Sequence, residues 1–176
     1  MTIAEFDHLP ETGKRELLKQ CCGSEQWVNN MLTIFPVEDL VELLEAAEEK
    51  WYTLNAEDWK QAFENHPKIG DVSSLHKKFS DTAALASKEQ SGVDTADDIT
   101  LQQLASENKI YQDKHGFIFI VCATGKSAKE MLSILHTRSK NNSAVEIEVA
   151  AGEQLKITRL RLEKLFGINE NVNAHE

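Results

Sequence analysis

Apolar side chains recur at intervals of three and four residues along most of the chain, which is the spacing of amphipathic helices. The clearest stripe predicts one helix whose core-facing positions are Val37, Leu40, Val41, Leu44, Ala47 and Trp51. Glycine and proline are few and lie between such segments rather than inside them, which favours a helical domain with short connections.

Residues that start and stop helices divide the first part of the chain. Gly23 can end one helix, and Ser24 and Asn55 can each cap another. The helix that follows Asn55 should end near His66, because Pro67 disfavours helical geometry in the residue before it. We therefore expect His66 to begin a loop.

Similar signals divide the second part. Ser80 can cap a segment closed by Gly92, Thr95 can open a helix through Ile99 towards Gly116, and Ser127 can cap another. A long final helix is predicted through Val149, Ala150, Ile157, Leu160 and Leu165. Residues 169–176 are expected to fray.

The apolar, β-branched run from Phe117 to Ala123 interrupts this helical pattern. Periodicity cannot separate a buried strand from a buried helix in so short a run. Gly116 and Gly125 at its ends favour an extended chain. The predicted fold is all-α, with about eight helices and one short extended segment.

Length and charge limit the number of domains and the kinds of partner that are expected. The 176 residues suffice for one hydrophobic core, so we predict a single domain over residues 1–168. Lys and Arg number 19 against 29 Asp and Glu, a net charge of −10. Such a chain is repelled by phosphate backbones and anionic lipids, so neither nucleic acid nor a membrane is an expected partner.

Targeting signals and metal motifs are missing from the sequence. No apolar run approaches the roughly 20 residues that span a bilayer, and the start lacks a signal-peptide pattern, so we expect a soluble, cytoplasmic protein. Cys21 and Cys22 are adjacent, a spacing that strains a disulfide, which favours reduced thiols. No spacing typical of zinc or calcium ligands occurs, so no metal is predicted.

Two fragments carry candidate chemistry. His66 precedes a proline and a glycine-permitted turn, and an imidazole on such a rigid loop suits acid–base catalysis. A structural histidine at the negative end of a helix dipole is the alternative, which these residues alone favour. Glu89 and Gln90 could bond a small polar ring, although a solvated helix face also carries such residues.

Two further fragments have the residue types of ligand-binding sites. Residues 124–127, TGKS, resemble the end of a phosphate-binding P-loop, but the full motif needs glycine where the chain has Ile120, so we reject it. Arg161 adjoins the apolar stripe of the last helix and could hold a carboxylate through two donors. A surface ion pair is the alternative for both Arg159 and Arg161.

Taken together, these fragments resemble the decarboxylases of 2-oxo-4-hydroxy-4-carboxy-5-ureidoimidazoline (OHCU). The order and spacing of the matching segments extend over about 140 positions and are specific, although each segment alone is weak. The segments are Trp27-Val28, Asp58-Trp59 with Ala62-Phe63, HPKIG at 66–70, EQSG at 89–92, GFIF at 116–119, CATGKS at 122–127, Arg138, Asn141, Glu146, Ala150, Glu153, Ile157 and Arg161-Leu162.

The resemblance implies a helical homodimer without metal or organic cofactor that converts OHCU to (S)-allantoin in urate degradation. It implies that His66 and Glu89 are catalytic and that Arg161 holds the substrate. Further substrate contacts map onto Pro67, Ala86, Ser87, Lys88 and Gln90, and onto the backbone of Phe119, Ile120, Val121, Cys122 and Ala123. The last match interprets the apolar segment as a pocket wall whose unpaired amides bond the ligand.

One position departs from the family pattern. The usual serine three positions before the glutamate falls on Ala86, with Ser87 one place later. Either Ser87 replaces it through a small shift, or that contact is dispensable. Two other function classes stay open: a related helical enzyme acting on another carboxylated ureido ring, and a helical interaction module without catalysis.

Overall fold

The computed structural model describes residues 1–66 and 94–167, without the side chains of residues 94–97. The chain divides into two compact units, which we describe separately: Met1–His66 with Ala151–Glu176, and Pro67–Ala150. The helix predicted after Ser80 and the tail predicted to fray lie outside the described residues. A single domain over residues 1–168 stays a prediction.

The described residues form eight helices and no strand, so the all-α prediction is confirmed. The first unit contains α1 (Ile3–Asp7), α2 (Glu11–Cys21), α3 (Glu25–Leu32), α4 (Leu40–Tyr52) and α5 (Ala56–Glu64). The second contains α6 (Asp94–His115) and α7 (Ala128–Ser139). The last helix, α8 (Ser143–Leu165), begins in the second unit and ends in the first.

Three predicted helix caps are present. Ser24 accepts a hydrogen bond from the Trp27 amide at the start of α3. Asn55 and Ser127 each form a capping box, in which the cap side chain and the third helical residue bond each other's backbone amides. Because α5 ends at Glu64, His66 lies in a loop as predicted.

The stripe predicted for α4 is wrong at one position. Leu44, Ala47 and Trp51 are buried, but Val41 is 64% exposed and Leu43 occupies the core instead. Val37, which precedes the helix, is buried, whereas Val41 lies inside α4 and is exposed. Spacing along the chain therefore does not by itself decide which apolar residues face the core.

Three apolar residues predicted on helix stripes are also exposed. Ile99 on α6 is 60% exposed, and Val149 and Leu160 on α8 are 36% and 37% exposed. The α6 helix begins at Asp94, so Thr95 lies inside it and is not its cap. On α8, polar residues take buried positions that hydrophobic periodicity assigns to apolar ones, as shown by Glu146, Gln154 and Thr158.

Indole hydrogen bonds fix the helices of the first unit to one another. Trp27 Nε1 donates to the Ala47 carbonyl at 3.1 Å, and Trp59 Nε1 donates to the Trp51 carbonyl at 3.0 Å. Trp51 Nε1 donates to the Ala151 carbonyl at 2.9 Å. This last bond fixes the second half of α8 to α4, and that half carries the candidate residue Arg161.

In the second unit, the apolar segment packs through aromatic rings. Residues 117–123 are neither helical nor paired as a strand within the described chain. They lie between Gly116 and Gly125, which both adopt positive φ. Phe117 and Phe119 meet the Tyr111 ring edge-on, with centroids 5.9 and 5.4 Å away. The helical pattern is therefore interrupted where the sequence predicts, while the extended conformation of this segment stays a prediction.

Candidate functional site

His66 follows α5 by two residues, at a point where the chain packs tightly. A Cβ on Gly23 would lie 1.7 Å from Asn65 Nδ2 and 2.8 Å from Asn65 Cβ, so only glycine fits beside Asn65. Gly23 does not adopt positive φ, and α2 already ends at Cys21. Close approach to the residue before His66, rather than helix termination, therefore explains this glycine.

The His66 ring is the outer member of a chain of polar side chains. His66 Nε2 lies 2.6 Å from Gln154 Oε1, and Gln154 Nε2 donates to Thr158 Oγ1 at 3.2 Å. The Thr158 hydroxyl in turn bonds the Cys22 thiol. Gln154, Thr158 and Cys22 are almost completely buried, whereas His66 is half-buried. A catalytic candidate on a loop is thus tied to a rigid helix.

Sequence reasoning missed Gln154 and Thr158. The signal that could have found them is their spacing, because positions 154, 158 and 161 recur at four and three residues and share one face of α8. Two polar residues in line with Arg161 on a partly buried helix indicate a polar face turned towards other groups of the protein. Hydrophobic periodicity treats such residues only as interruptions.

Arg161 lies at the carboxyl end of α2. Its Nη1 lies 3.4 Å from the Gln20 carbonyl and 3.5 Å from the Cys21 carbonyl, which are among the helix's last carbonyls. Within the described residues no carboxylate pairs with it, and its side chain is exposed. Arg159, by contrast, pairs with Glu48 at 3.5 Å, as the surface alternative predicted.

The two adjacent thiols are free, as predicted, and both are held in the neutral form. Burial raises the pKa of Cys21 to about 12 and that of Cys22 to about 11, although the positive charge of Arg161 acts in the opposite direction on both. Neither sulfur is therefore a thiolate near neutral pH, which makes both poor nucleophiles and metal ligands.

In the second unit, the predicted wall segment has amide groups without protein partners. Among the described residues, the backbone N–H groups of residues 118–123 donate to no acceptor. Two of its carbonyls are bonded, that of Ile120 by Arg138 Nη1 and that of Cys122 by Lys126 Nζ at 2.8 Å. Phe119, Ile120 and Val121 are buried. The segment thus has donors for a ligand or for water.

A buried cluster of charged and polar side chains contacts this segment through Arg138. Glu146, which is fully buried, accepts hydrogen bonds from Arg138 Nε at 2.6 Å, Tyr111 Oη at 2.5 Å and Asn141 Nδ2 at 3.0 Å. Burial, with the neighbouring Glu146 carboxylate, raises the pKa of Tyr111 well above its usual range. Arg138 therefore reaches the Ile120 carbonyl from a fixed position. The sequence singled out Arg138, Asn141 and Glu146 only as points of resemblance.

The structure places the predicted site residues in three groups. His66 and Arg161 belong to the first unit. His66 contacts Gln154 on α8, and Arg161 contacts a carbonyl near the end of α2. Phe119 to Ala123 belong to the second unit. The remaining candidates lie outside the described residues: Pro67, Ala86, Ser87, Lys88, Glu89 and Gln90.

Neither a metal site nor a membrane span is found in the part of the chain that the structure describes. No three histidine, cysteine, aspartate or glutamate side chains there come together as a metal-binding group. No helix there is both long and apolar enough to cross a bilayer.

The sequence matches proteins of urate degradation. Residues 7–163 match the family described as OHCU decarboxylase. The uric acid degradation bifunctional protein TTL of Arabidopsis thaliana is 40% identical over 149 residues, which are 84% of this chain and 46% of that protein. The uric acid degradation bifunctional protein of Bacillus sp. (strain TB-90) is 30% identical over 111 residues, 62% of this chain and 20% of that protein. The chain spans less than half the length of these relatives.

Two solved structures are similar to this chain. A crystal structure of OHCU decarboxylase in the presence of (S)-allantoin has a TM-score of 0.67 and 40% identity, and the match covers 84% of this chain and 95% of that one. A crystal structure of (S)-allantoin synthase has a TM-score of 0.68 and 16% identity, covering 93% of this chain and 54% of that one. At that identity the second likeness shows the fold alone.

Proposed function

The chain belongs to the OHCU decarboxylase family, and from that premise we propose that it converts OHCU to (S)-allantoin with release of CO2. The observation that carries the proposal is the match at 40% identity to nearly the whole of a solved OHCU decarboxylase. The relatives of known pathway are longer than this chain, so the proposal also depends on what its own residues can do.

The substrate supplies the electron sink for the reaction. When the bond between the ring carbon and its carboxylate breaks, CO2 leaves and the electron pair is accepted by the adjacent C=N of the ring. A proton must then reach the neighbouring carbon from one face, which sets the S configuration. The protein therefore has to orient an anion, stabilise developing charge and deliver a proton, and none of these tasks needs a cofactor.

Arg161 is suited to hold the anionic substrate. Only Nη1 of its guanidinium reaches protein carbonyls, at 3.4 and 3.5 Å, and within the described residues Nη2 and Nε make no hydrogen bond. The side chain is exposed, so these donors are accessible to a carboxylate. The contacts with α2 fix the planar group without consuming its two-donor edge.

His66 is suited to move the proton. It is half-buried, it lies on the loop after α5, and it is tied to Gln154 on α8, two helical turns before Arg161. Seven residues of helix correspond to about 10 Å along its axis, a span on the scale of a small substituted ring. The family resemblance assigns Glu89 a catalytic role beside His66, and that assignment remains a proposal.

The same resemblance assigns substrate contacts to Pro67, Ala86, Ser87, Lys88 and Gln90, and to the backbone of residues 119–123. The unpaired amides of residues 118–123 support the second assignment, because each can donate to a ring carbonyl or a carboxylate. We also propose that the chain works in the cytoplasm and as a homodimer. Sedimentation of the purified chain at micromolar concentration, which should give twice the monomer mass, tests the dimer.

A direct assay tests the activity. The chain is added to freshly generated OHCU, and circular dichroism follows the chirality of the product. We expect faster OHCU loss and a dichroic signal from (S)-allantoin, since uncatalysed protonation at both faces gives a racemate. OHCU decay at the uncatalysed rate without chirality would refute the proposal. Turnover of another carboxylated ureido ring, but not of OHCU, would support the related-enzyme alternative.

A further inference from the structure

We propose that Gln154 is a positioning residue for His66: its side-chain oxygen keeps the proton of the neutral imidazole on Nε2 and thereby leaves the lone pair on Nδ1. The role in catalysis rests on the proposed function. The tautomer itself is a property of the folded chain and can be measured without substrate.

The inference depends on which atom donates and which atom accepts in each hydrogen bond of this chain. An amide oxygen accepts and cannot donate, so a 2.6 Å contact between Gln154 Oε1 and His66 Nε2 requires a proton on that nitrogen. The amide is held in this orientation from its other end, where Nε2 donates to Thr158 Oγ1 at 3.2 Å. A flipped amide would turn donors towards His66 and lose its donation to Thr158.

Thr158 is the next member of this hydrogen-bond chain, and its hydroxyl oxygen accepts from the Gln154 amide nitrogen at 3.2 Å. The same hydroxyl lowers the pKa of the Cys22 thiol, against the larger effect of burial. Of the side chains in this hydrogen-bond chain, Cys22 and His66 can titrate, and Cys22 stays a neutral thiol.

Burial makes the arrangement rigid. Gln154 and Cys22 are 0% exposed and Thr158 is 1% exposed. The helix that carries Gln154 is fixed to α4 by the bond from Trp51 to Ala151, three residues earlier. The His66 amide donates to the Phe63 carbonyl at 3.2 Å, and the bond from α8 constrains the ring directly.

The chemical consequence is an assignment of roles to the two ring nitrogens. With Nε2 engaged as a donor, the neutral ring can take up a proton only at Nδ1, and the imidazolium returns a proton from that atom. In the other tautomer, the Nε2 lone pair would face the lone pairs of Gln154 Oε1, and that oxygen would have no donor from His66. Gln154 thus acts on the reaction through His66 without touching substrate.

The first experiment measures the tautomer. Two-bond proton–nitrogen NMR spectra of chain labelled with ¹⁵N-histidine are recorded above neutral pH, and the His66 signals are assigned by their loss in His66→Gln. We expect a protonated Nε2 and an unprotonated Nδ1. A protonated Nδ1 in the folded wild-type chain would overturn the proposal, whatever the chain's activity.

The second experiment uses three variants. Gln154→Leu keeps the size and removes the amide, so kcat should fall by at least roughly tenfold, the usual effect of losing a histidine's orienting partner, with KM within about threefold. Gln154→Glu keeps an acceptor for the Nε2 proton, so His66 should retain the same tautomer. The added negative charge stabilises the imidazolium, so the histidine-dependent limb of the pH–rate profile should move upwards by roughly 1–3 pH units. Gln26→Glu, on the exposed face of α3, controls for the added charge and should leave the profile unchanged.

The outcomes separate this proposal from the proposed function. If the wild-type chain shows the Nε2 tautomer but no activity on OHCU, the proposed function fails and the positioning of His66 by Gln154 stands. If the chain is active and a folded Gln154→Leu variant keeps its kcat within about threefold, the positioning role fails. If Gln154→Leu does not fold, the test depends on a folded Gln154→Glu variant. An unchanged pH–rate profile in that variant would overturn the positioning role.

Discussion

Arg138 and Glu146 form a buried ion pair, with Nε 2.6 Å from Oε1 and the carboxylate fully buried. Arg138 also donates to the Ile120 carbonyl, so the pair anchors the segment whose amides have no partner among the described residues. Glu146→Gln keeps the shape but leaves the arginine charge buried without a counter-charge. We expect the free energy of unfolding to fall by about 3–5 kcal/mol in urea denaturation.

A matched variant controls for the loss of one acid. Asp113 pairs with Lys109 at 3.2 Å, but both side chains are mostly exposed. Asp113→Asn should therefore change the free energy of unfolding by less than about 1 kcal/mol. Equal effects at positions 113 and 146 would mean that the buried pair contributes no more than a surface pair.

His66→Gln should fold normally and lose most of the enzyme-dependent formation of allantoin. Removing a general acid–base group costs about 10²–10⁴-fold in rate. His136→Gln is the matched control, because that ring is mostly exposed and lies 3.5 Å from Glu107 in the second unit. A His66 variant with kcat within about threefold of wild type would exclude the proposed role, and its circular dichroism spectrum checks the fold.

Arg161→Lys should be poorly tolerated although it keeps the charge. A point-charge ammonium cannot present the planar two-donor edge that a carboxylate accepts, so kcat/KM should fall at least roughly tenfold, about 1.4 kcal/mol. Arg159→Lys is the control, since its pair with Glu48 is exposed and worth about 0–1 kcal/mol. Small, equal effects at both positions would show that Arg161 does not hold the substrate.

His115 should make the chain sensitive to mild acid. Its Nδ1 lies 2.8 Å from Ser143 Oγ, and its Nε2 is buried without a partner among the described residues. Burial lowers its pKa below the usual value; Glu146 opposes this effect, and the charges of Lys114 and Arg138 add to it. Protonation would place an unsatisfied N–H in the interior.

The sign of the pH effect follows from this lowered pKa. Between the folded and unfolded values the unfolded chain binds more protons, so stability is fully present above about pH 6.5 and falls below it. His115→Asn keeps a donor for Ser143 and should reduce the loss measured between pH 7.5 and pH 5.5. A wild-type chain and variant that lose equal stability over that interval would contradict the assignment.

Activity should survive exhaustive chelation without any added cofactor, because the substrate carries its own electron sink. The measurement is kcat after dialysis against a chelator, compared with the same chain supplied with individual divalent metals. Loss of activity that one specific metal restores would refute the cofactor-independent mechanism. A loss that no metal restores would point to damage of the protein, which its far-ultraviolet circular dichroism spectrum detects.

Local sequence signals were sufficient wherever neighbouring residues decide the structure. The caps at Ser24, Asn55 and Ser127 and the loop at His66 follow from hydrogen bonds and steric limits within four residues of chain. The break in the helical pattern at residues 117–123 likewise lies between Gly116 and Gly125, as the sequence predicts.

Burial was less predictable, because the partner of each helix face comes from elsewhere in the chain. Val41 is exposed and Leu43 is buried, although both are equally apolar. Gly23 is required by the side chain of Asn65, more than forty residues later, and no local pattern shows that requirement. Periodicity predicts that a helix has an inner face, but packing decides which residues form it.

The sequence by itself determined the helical class, the helix starts after Ser24, Asn55 and Ser127, and, through ordered motifs, the family and the candidate residues His66 and Arg161. Only the tertiary structure decided that Gln154 bonds His66, which lies 88 positions away in the sequence. It also decided that the buried Glu146 accepts hydrogen bonds from Arg138, Tyr111 and Asn141. Buried polar groups need partners, and those partners are chosen by three-dimensional proximity rather than by spacing along the chain.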